Sequence, residues 1–427
     1  MNNKSKTYII ICGIYDVVAG GPIYHSNKIR FMEENGWNVI VIPTNPGKKI
    51  FIQGFQRFDG PFFPYSLDMP NEFSRHQQKK IIDLLESFVP VNQEEIIIET
   101  GTDYTAYWGE CLAKRIGARH FVIFLDEQNP NVDEKVIDFY KFKYFRHELA
   151  CISQPVMQHL FKDYMSLSLE QCFSLPCCCH NSLSDYSHPL LQLIQSNKMD
   201  YNIGYIGRLE KDFLPAILNG IKKFALSIPE RTILFCCFGG AFEEKTKNNI
   251  INFFKEVDNI KLLISGYIFP MPLQALRQMD VFVAGAGSSV AGAKTGVPTV
   301  RVDILSYEPI GLHIDYTFNH LKKCPFGNKI EDYLRWILIS EKMPHKTAYN
   351  TELEWKNICE RFKLHLNFIA ETTSEKQYYD TEKLGISNKR KWKRFFRTVL
   401  GLYLYEQMHE LHRRYLVWRH HLPQEAN

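Results

Sequence analysis

Short, almost uninterrupted apolar runs recur along the first three-quarters of the chain, each followed by a stretch with helical spacing. In the first half the runs are Tyr8–Ile14, Val39–Pro43, Ile96–Glu99, His120–Leu125 and Ala150–Ser153, with helical stretches such as Ile23–Asn35 and Tyr104–Ile116 between them. The runs do not alternate apolar with polar positions, which suits a parallel sheet covered by helices on both faces. Strand–helix alternation of this kind predicts βαβ units and an open, doubly wound sheet. The pattern starts afresh at Ile203–Ile206. A helix over Phe213–Leu226 follows, with Leu214, Ile217, Leu218, Ile221, Phe224 and Ala225 on one face, then strands at Thr232–Phe238, Lys261–Ser265, Val281–Ala284 and Thr299–Val302. The polar stretch from His180 to Asp200 reads as a connection between two sheet-building halves. Beyond Asn328 helices take over, at Ile330–Ile339 and Leu353–Ile369. Glu371–Ser387 is polar and aperiodic, a linker, and a last helix runs over Lys389–Arg419.

Composition narrows the class. With 427 residues, 45% of them hydrophobic, the chain is neither disordered nor of low complexity, and at roughly 150 residues per domain it should form two or three domains. No apolar run approaches the ~18 residues of a spanning helix, and the first one, ended by Asp16, is too short for a signal peptide. Several of the eleven cysteines sit inside strand-like runs and read as reduced cytosolic thiols packed as small apolar residues.

Charge is unevenly placed. Lys389 to His421 holds nine Lys/Arg against two Glu, a net of +7, so with +4 overall the rest of the chain sums to −3. A nucleic-acid-binding core is excluded by that balance. The tail places Trp392, Phe395, Phe396, Val399, Leu400 and Tyr403 at helical spacing, with Lys391, Lys393, Arg394 and Arg397 around or opposite them. Such a helix suits an anionic membrane surface; the plainer reading is a last helix packed on the core with a solvated charged face.

Ligands of open parallel sheets sit beyond the carboxyl ends of the strands, where amides and helix N-termini attract anions. Three such junctions carry glycine: Gly20-Gly21-Pro22, Gly239-Gly240, and Gly285-Ala286-Gly287-Ser288-Ser289. The third nearly matches two nucleotide motifs. GxGxxG fails at Val290, although Asp303 closes the next strand as a ribose-binding acid would, and GxxxxGK[ST] fails because Ala293 displaces Lys294. Arg208 and Lys211, at the end of the first strand of the second half, can neutralise a departing diphosphate; the plainer reading pairs Arg208 with Glu210. Asp126 and Glu127, at a strand end of the first half, are candidate general bases for an acceptor hydroxyl, or caps of the next helix; Glu99 and Asp103 are second choices. No metal is expected: Asp-x-Asp does not occur, and Cys177-Cys178-Cys179-His180 has ligands too close together to close a tetrahedron.

The order of Gly20-Gly21 with a helix to Gly36, Gly207-Arg208-Leu209, Gly239-Gly240, Leu273–Val283 and Gly296-Val297-Pro298-Thr299-Val300 resembles GT-B glycosyltransferases, specifically glycosyltransferase family 4, over roughly residues 8 to 369. The resemblance implies an α/β GT-B fold of two Rossmann-like, doubly wound parallel-sheet domains facing a cleft, plus C-terminal helices. Residues 1–195 would bind the acceptor and 200–345 the nucleotide-sugar, 346–370 would cross back to the first domain, and 371–427 would be linker and membrane-surface helix. Arg208 and Lys211 would be the diphosphate-neutralising pair, with Gly20, Gly21, Gly239, Gly285, Gly287, Ser288 and Ser289 around the donor. The acidic pair usual in the family is replaced by Val283 and Ala291, and its frequent histidine by Asp126-Glu127; the Gly-Ala-Gly-Ser-Ser loop is closer to that of the lipid II-forming N-acetylglucosaminyl transferase. The implied activity is metal-independent transfer of a sugar from a nucleoside-diphosphate sugar to a lipid-linked or polysaccharide acceptor, on the cytoplasmic face of the membrane. A nucleotide-sugar epimerase of the same fold and a catalytically silent GT-B binding module are the alternatives, and a dinucleotide-dependent oxidoreductase is a distant further one.

Overall fold

The computed structural model describes residues 6–13, 18–44, 52, 63–65, 67–91, 93–101, 104–125, 134–176, 178–179, 181–317, 319–371, 375–385 and 388–421. The first half holds β1 (Lys6–Cys12), α1 (Gly20–Glu34), β2 (Asn38–Pro43), α2 (Arg75–Glu86), β3 (Glu95–Thr100), α3 (Tyr104–Ile116), β4 (Arg119–Phe124), α4 (Ile137–Phe145), β5 (Leu149–Cys151) and α5 (Gln154–Phe161). Its strands form a five-stranded sheet in the order β2-β1-β3-β4-β5, and every pairing is parallel. Tyr8, Ile9, Ile10 and Ile11 are all fully buried, the two-faced burial that the unbroken apolar run predicts. Helix α2 begins with a reciprocal cap: Ser74 Oγ accepts from the Gln77 amide while the Gln77 side chain accepts from the Ser74 amide.

The second half holds β6 (Leu183–Ser184), α6 (Pro189–Gln195), β7 (Tyr201–Ile206), α7 (Leu214–Leu226), β8 (Ile233–Phe238), α8 (Glu244–Phe254), β9 (Ile260–Ile264), β10 (Met271–Pro272), α9 (Leu273–Leu276), β11 (Val281–Gly285), α10 (Ala286–Lys294), β12 (Thr299–Val302), β13 (Pro309–His313), β14 (Leu321–Lys322) and α11 (Ile330–Arg335), the last continuing as a π turn over Trp336–Ser340. Seven of these strands form one sheet, β14-β13-β12-β11-β7-β8-β9. Its body is parallel, and β13 and β14 add an antiparallel edge that the apolar pattern does not announce, because both are short. The stretch read as a polar connection is built into this half: Leu183, Leu190 and Ile194 are buried with Ile206, Leu234 and Met271. Its apolar positions are too few to show a period.

Two C-terminal helices, α12 (Thr351–Ala370) and α13 (Asn388–His421), pack on the first half. Ile358, Phe362 and Ile369 of α12 share a core with Tyr8, Ile10, Ile23 and Tyr24. The expected linker is likewise docked: Leu384 is buried among Tyr107, Phe139 and Cys172, and the Tyr379 amide donates to Glu110 at 2.6 Å. Helix α13 breaks at Gly401, whose φ of 75° is outside helical space. Among the described residues, no helix is long and apolar enough to cross a membrane.

Arg397 departs from expectation. The tail pattern put it among solvated or membrane-facing cations, but its side chain is 1% exposed and reaches Glu72 at 3.3 Å and Asp68 in a closer pair. It also lies over the rings of Phe73 at 4.3 Å and Tyr405 at 4.6 Å. Burial alone would raise the Asp68 carboxyl, but Arg397, then Lys393 and His409, hold it below its ordinary value.

Candidate functional site

The carboxyl ends of both sheets meet at a crevice of about 1110 Å³. The second half contributes Gly207, Arg208, Lys211, Gly239, Tyr267, Gly285, Ala286, Gly287 and Ser288 to its walls; the first contributes Gly20, Gly21, His25, Thr44, Asp68 and Leu125. Three glycine junctions far apart in sequence thus open onto one space, because parallel strands all end at the same edge of their sheet.

Local geometry packs the loops of the second half's wall closely. An added Cβ on Gly239 would sit 1.9 Å from the Gly207 carbonyl, so the loops after β7 and β8 touch only because residue 239 is glycine. After β11 the chain turns sharply into α10, and Ala286 takes a φ of 48°, a left-handed conformation that a residue with a Cβ adopts only where its surroundings enforce it. Gly287 and Ser288, in the first turn of α10, where amides have no intrahelical partner, line the crevice. Arg208 and Lys211 stand on the same wall. Arg208 does not spend its charge on Glu210, whose carboxylate accepts from the Phe242 amide; the guanidinium lies 5.3 Å from the Phe242 ring centroid.

Some expected residues fall elsewhere. Ser289 is fully buried, its hydroxyl donating to the Ala286 carbonyl at 2.8 Å with His313 Nε2 3.1 Å away; it shapes the turn and does not face the crevice. Lys294, the displaced lysine of the near P-loop match, is buried in an ion pair with Glu354 of α12. Asp303 accepts from the Ser306 amide and hydroxyl at 2.9 Å each, a tight turn that holds its carboxyl low. Asp126, Glu127 and Asp103 lie outside the described residues, as do Cys177 and His180. Among the described residues no group of three or more His, Cys, Asp or Glu is placed to hold a metal ion.

Glu99, next to last in β3, lies one layer behind the crevice, fully buried. Tyr8 and Tyr24 donate to it at 2.6 and 3.2 Å, Lys28 lies 3.9 Å away, and Lys28 in turn meets His365 Nδ1 at 2.9 Å. Burial pushes the Glu99 carboxyl up and the Lys28 ammonium down. Between this cluster and the crevice stands His25, which burial, and then Lys28, lower from 6.5 to about 4. A lone histidine on a helix gives no signal in sequence; only its position five residues after Gly20 on α1 sets it beside the crevice.

Two Rossmann-like halves with ligand-binding edges facing across a crevice define the GT-B class, and the chain has that fold. A glycosyltransferase from Rickettsia africae ESF-5 is similar with a TM-score of 0.55 at 12% identity, over 86% of this chain and 99% of that one. Anabaena HepE, in complex with UDP and glucose, is similar with a TM-score of 0.53 at 11% identity, over 86% of this chain and 98% of that one. No family model and no curated sequence matches the chain.

Proposed function

We propose that the protein is a glycosyltransferase, akin to family 4, that moves a sugar from a nucleoside-diphosphate donor to a lipid-linked or polysaccharide acceptor without a metal ion. One observation carries this reading: Arg208, Lys211 and the glycine-rich turns at Gly239 and Gly285–Ser288 converge on one wall of a crevice large enough for two substrates. Cations and helix-terminal amides together stabilise the charge that a departing diphosphate develops, the task a divalent cation performs elsewhere. HepE, of like fold, is known with UDP and glucose, which supports a sugar nucleotide here.

The tail supports a membrane-borne acceptor. Trp392, Phe395 and Val399 of α13 leave 66%, 56% and 65% of their surface exposed, an apolar row on the basic stretch before the break at Gly401. Arg397 and Lys393 of the same helix pair with Asp68, which borders the crevice. A helix lying on the cytoplasmic face of an anionic membrane would therefore hold the crevice mouth next to lipid-linked acceptors.

The purified protein, given radiolabelled UDP- and GDP-sugars with membrane extract, should transfer label from one of them. Donor turnover to a second sugar nucleotide without any acceptor would assign an epimerase instead, and binding without turnover a silent module. In vesicle sedimentation, truncation after Ser387 should abolish binding to anionic vesicles; equal binding would remove the tail from the reading.

A further inference from the structure

Charge is sorted across the crevice. Arg208 and Lys211 stand on the second half's wall, and among the described residues Asp68, on the first half's wall, is the one carboxylate that borders the space. The hydroxyl-bearing residues Thr44, Tyr104 and Thr105 border it on the same side. Asp68 is held from behind. Its carbonyl accepts from the Trp108 indole at 2.6 Å, and its Oδ2 is shared by Arg397, in the close pair, and by Lys393 at 3.6 Å. Among the described residues nothing pairs with Oδ1, and the side chain keeps 17% of its surface exposed. Burial works against the charge, but Arg397, then Lys393 and His409, keep the carboxyl below its ordinary value. Ionised in this way, it accepts hydrogen bonds and is a weak base.

These surroundings select a ligand. A phosphate would be repelled by Asp68 and drawn to the opposite wall. Hydroxyls donate readily to a carboxylate, and such charge-assisted bonds are the strong ones. Arg397 does not compete for the same ligand, because Glu72 takes up its other terminal nitrogen at 3.3 Å and its side chain is 1% exposed.

We infer that Asp68 holds the acceptor by the hydroxyls of a sugar residue, with Arg397 as its positioning residue. This role rests on the transferase reading above and deepens it: the acceptor enters as a saccharide, so the protein extends a sugar chain and does not start one on a carrier phosphate. The tail thereby serves the crevice as well as the membrane. At about 3.6 residues per turn, Arg397 lies across the axis of α13 from Trp392, Phe395 and Val399. A helix resting on lipid by that row turns Arg397 toward Asp68.

The test uses the full chain, the sugar nucleotide it turns over, and membrane extract as the source of acceptor. Mild acid cleaves a sugar from a carrier phosphate, so the labelled product should release its label within an oligosaccharide or keep it in a polymer. Label released as the single sugar, or left on a lipid that holds no other sugar, overturns the role of Asp68 while sparing the transferase reading. This arm uses the wild type alone and so does not depend on a variant that folds. Asp68→Asn should raise the amount of extract needed for half-maximal transfer about tenfold or more, with a much smaller change in the donor KM. Arg397→Lys, which keeps the charge but loses the fork, should fall between the two; a wild-type requirement there overturns its positioning role. Equal dependence on extract in wild type and Asp68→Asn overturns the acceptor contact, as does a donor KM that rises as far as the acceptor requirement. A wild type that transfers no label from any UDP- or GDP-sugar sinks the transferase reading, and the role of Asp68 with it.

Discussion

The two walls of the crevice are built from different materials. The second half meets it with backbone and surface cations: glycine turns, the first amides of α10, Arg208 and Lys211. The first half meets it with a side chain backed by a buried polar network, from His25 through Glu99 to Lys28 and His365. Backbone amides and arginine bind charge at any ordinary pH but do not take up protons. Imidazole and carboxylate do. The contrast sets backbone and surface cations against a buried titratable network, and each wall can be altered without the other.

The largest effect is expected on the binding wall. Arg208→Ala should lower kcat by about 10²–10³-fold, the usual loss when one preorganised charge-stabilising group is removed; steady-state rates on the active donor check this. A silent module would show unchanged partner binding in the same variant. Gly239→Val tests the backbone side: a Cβ there would collide with the Gly207 carbonyl, so nucleotide affinity should fall at least tenfold, measurable by calorimetry.

Away from the crevice, Arg397→Met probes what holds α13 to the first half. It removes the buried guanidinium that faces Glu72, 1% exposed, and Asp68, the latter keeping Lys393 at 3.6 Å. Breaking a buried pair from one side costs about 3–5 kcal/mol, which chemical denaturation would read as a lower midpoint. If the midpoint is unchanged, α13 is not docked through this pair.

The smallest effect is on the pH dependence of stability. His25 and His120 are held down to about 4 from an unfolded value near 6.5, in each case chiefly by burial. Between those values the unfolded chain binds more protons, so stability is full above pH 6.5 and falls as pH drops toward 4. Glu110 acts the same way lower down: burial opposes, but Lys143 and His120 bring it to about 2, so its contribution is present above 4.5 and lost as pH falls toward 2. Glu99, raised by burial, runs the other way. Thermal melts from pH 7 to 4 should show Tm falling throughout, and His120→Asn should flatten the upper part of the curve.

Much of the architecture was legible in residue pattern. Strands β1, β3, β8 and β11 fall within two residues of their apolar runs, because a strand buried on both faces is apolar along most of its length. The glycine turns were legible too, since close approach of backbones excludes a Cβ wherever it occurs. The polar network was not. Glu99 looked like a strand-end carboxylate facing ligand, and nothing in its neighbours shows that Tyr8, Tyr24 and His25 would close over it. Arg397 looked solvated for the same reason: its partners, Asp68 and Glu72, lie more than three hundred positions away.

By itself the amino-acid order determined the two parallel-sheet halves, the strand ends rich in glycine and the basic final helix, all of which follow from local periodicity and backbone sterics. Tertiary structure alone decided which charges are buried, that His25 rather than Glu99 borders the crevice, that Ser289 turns inward and that Lys294 pairs with Glu354. Those outcomes depend on which distant side chain fills the adjacent space, and desolvation makes that choice energetically steep.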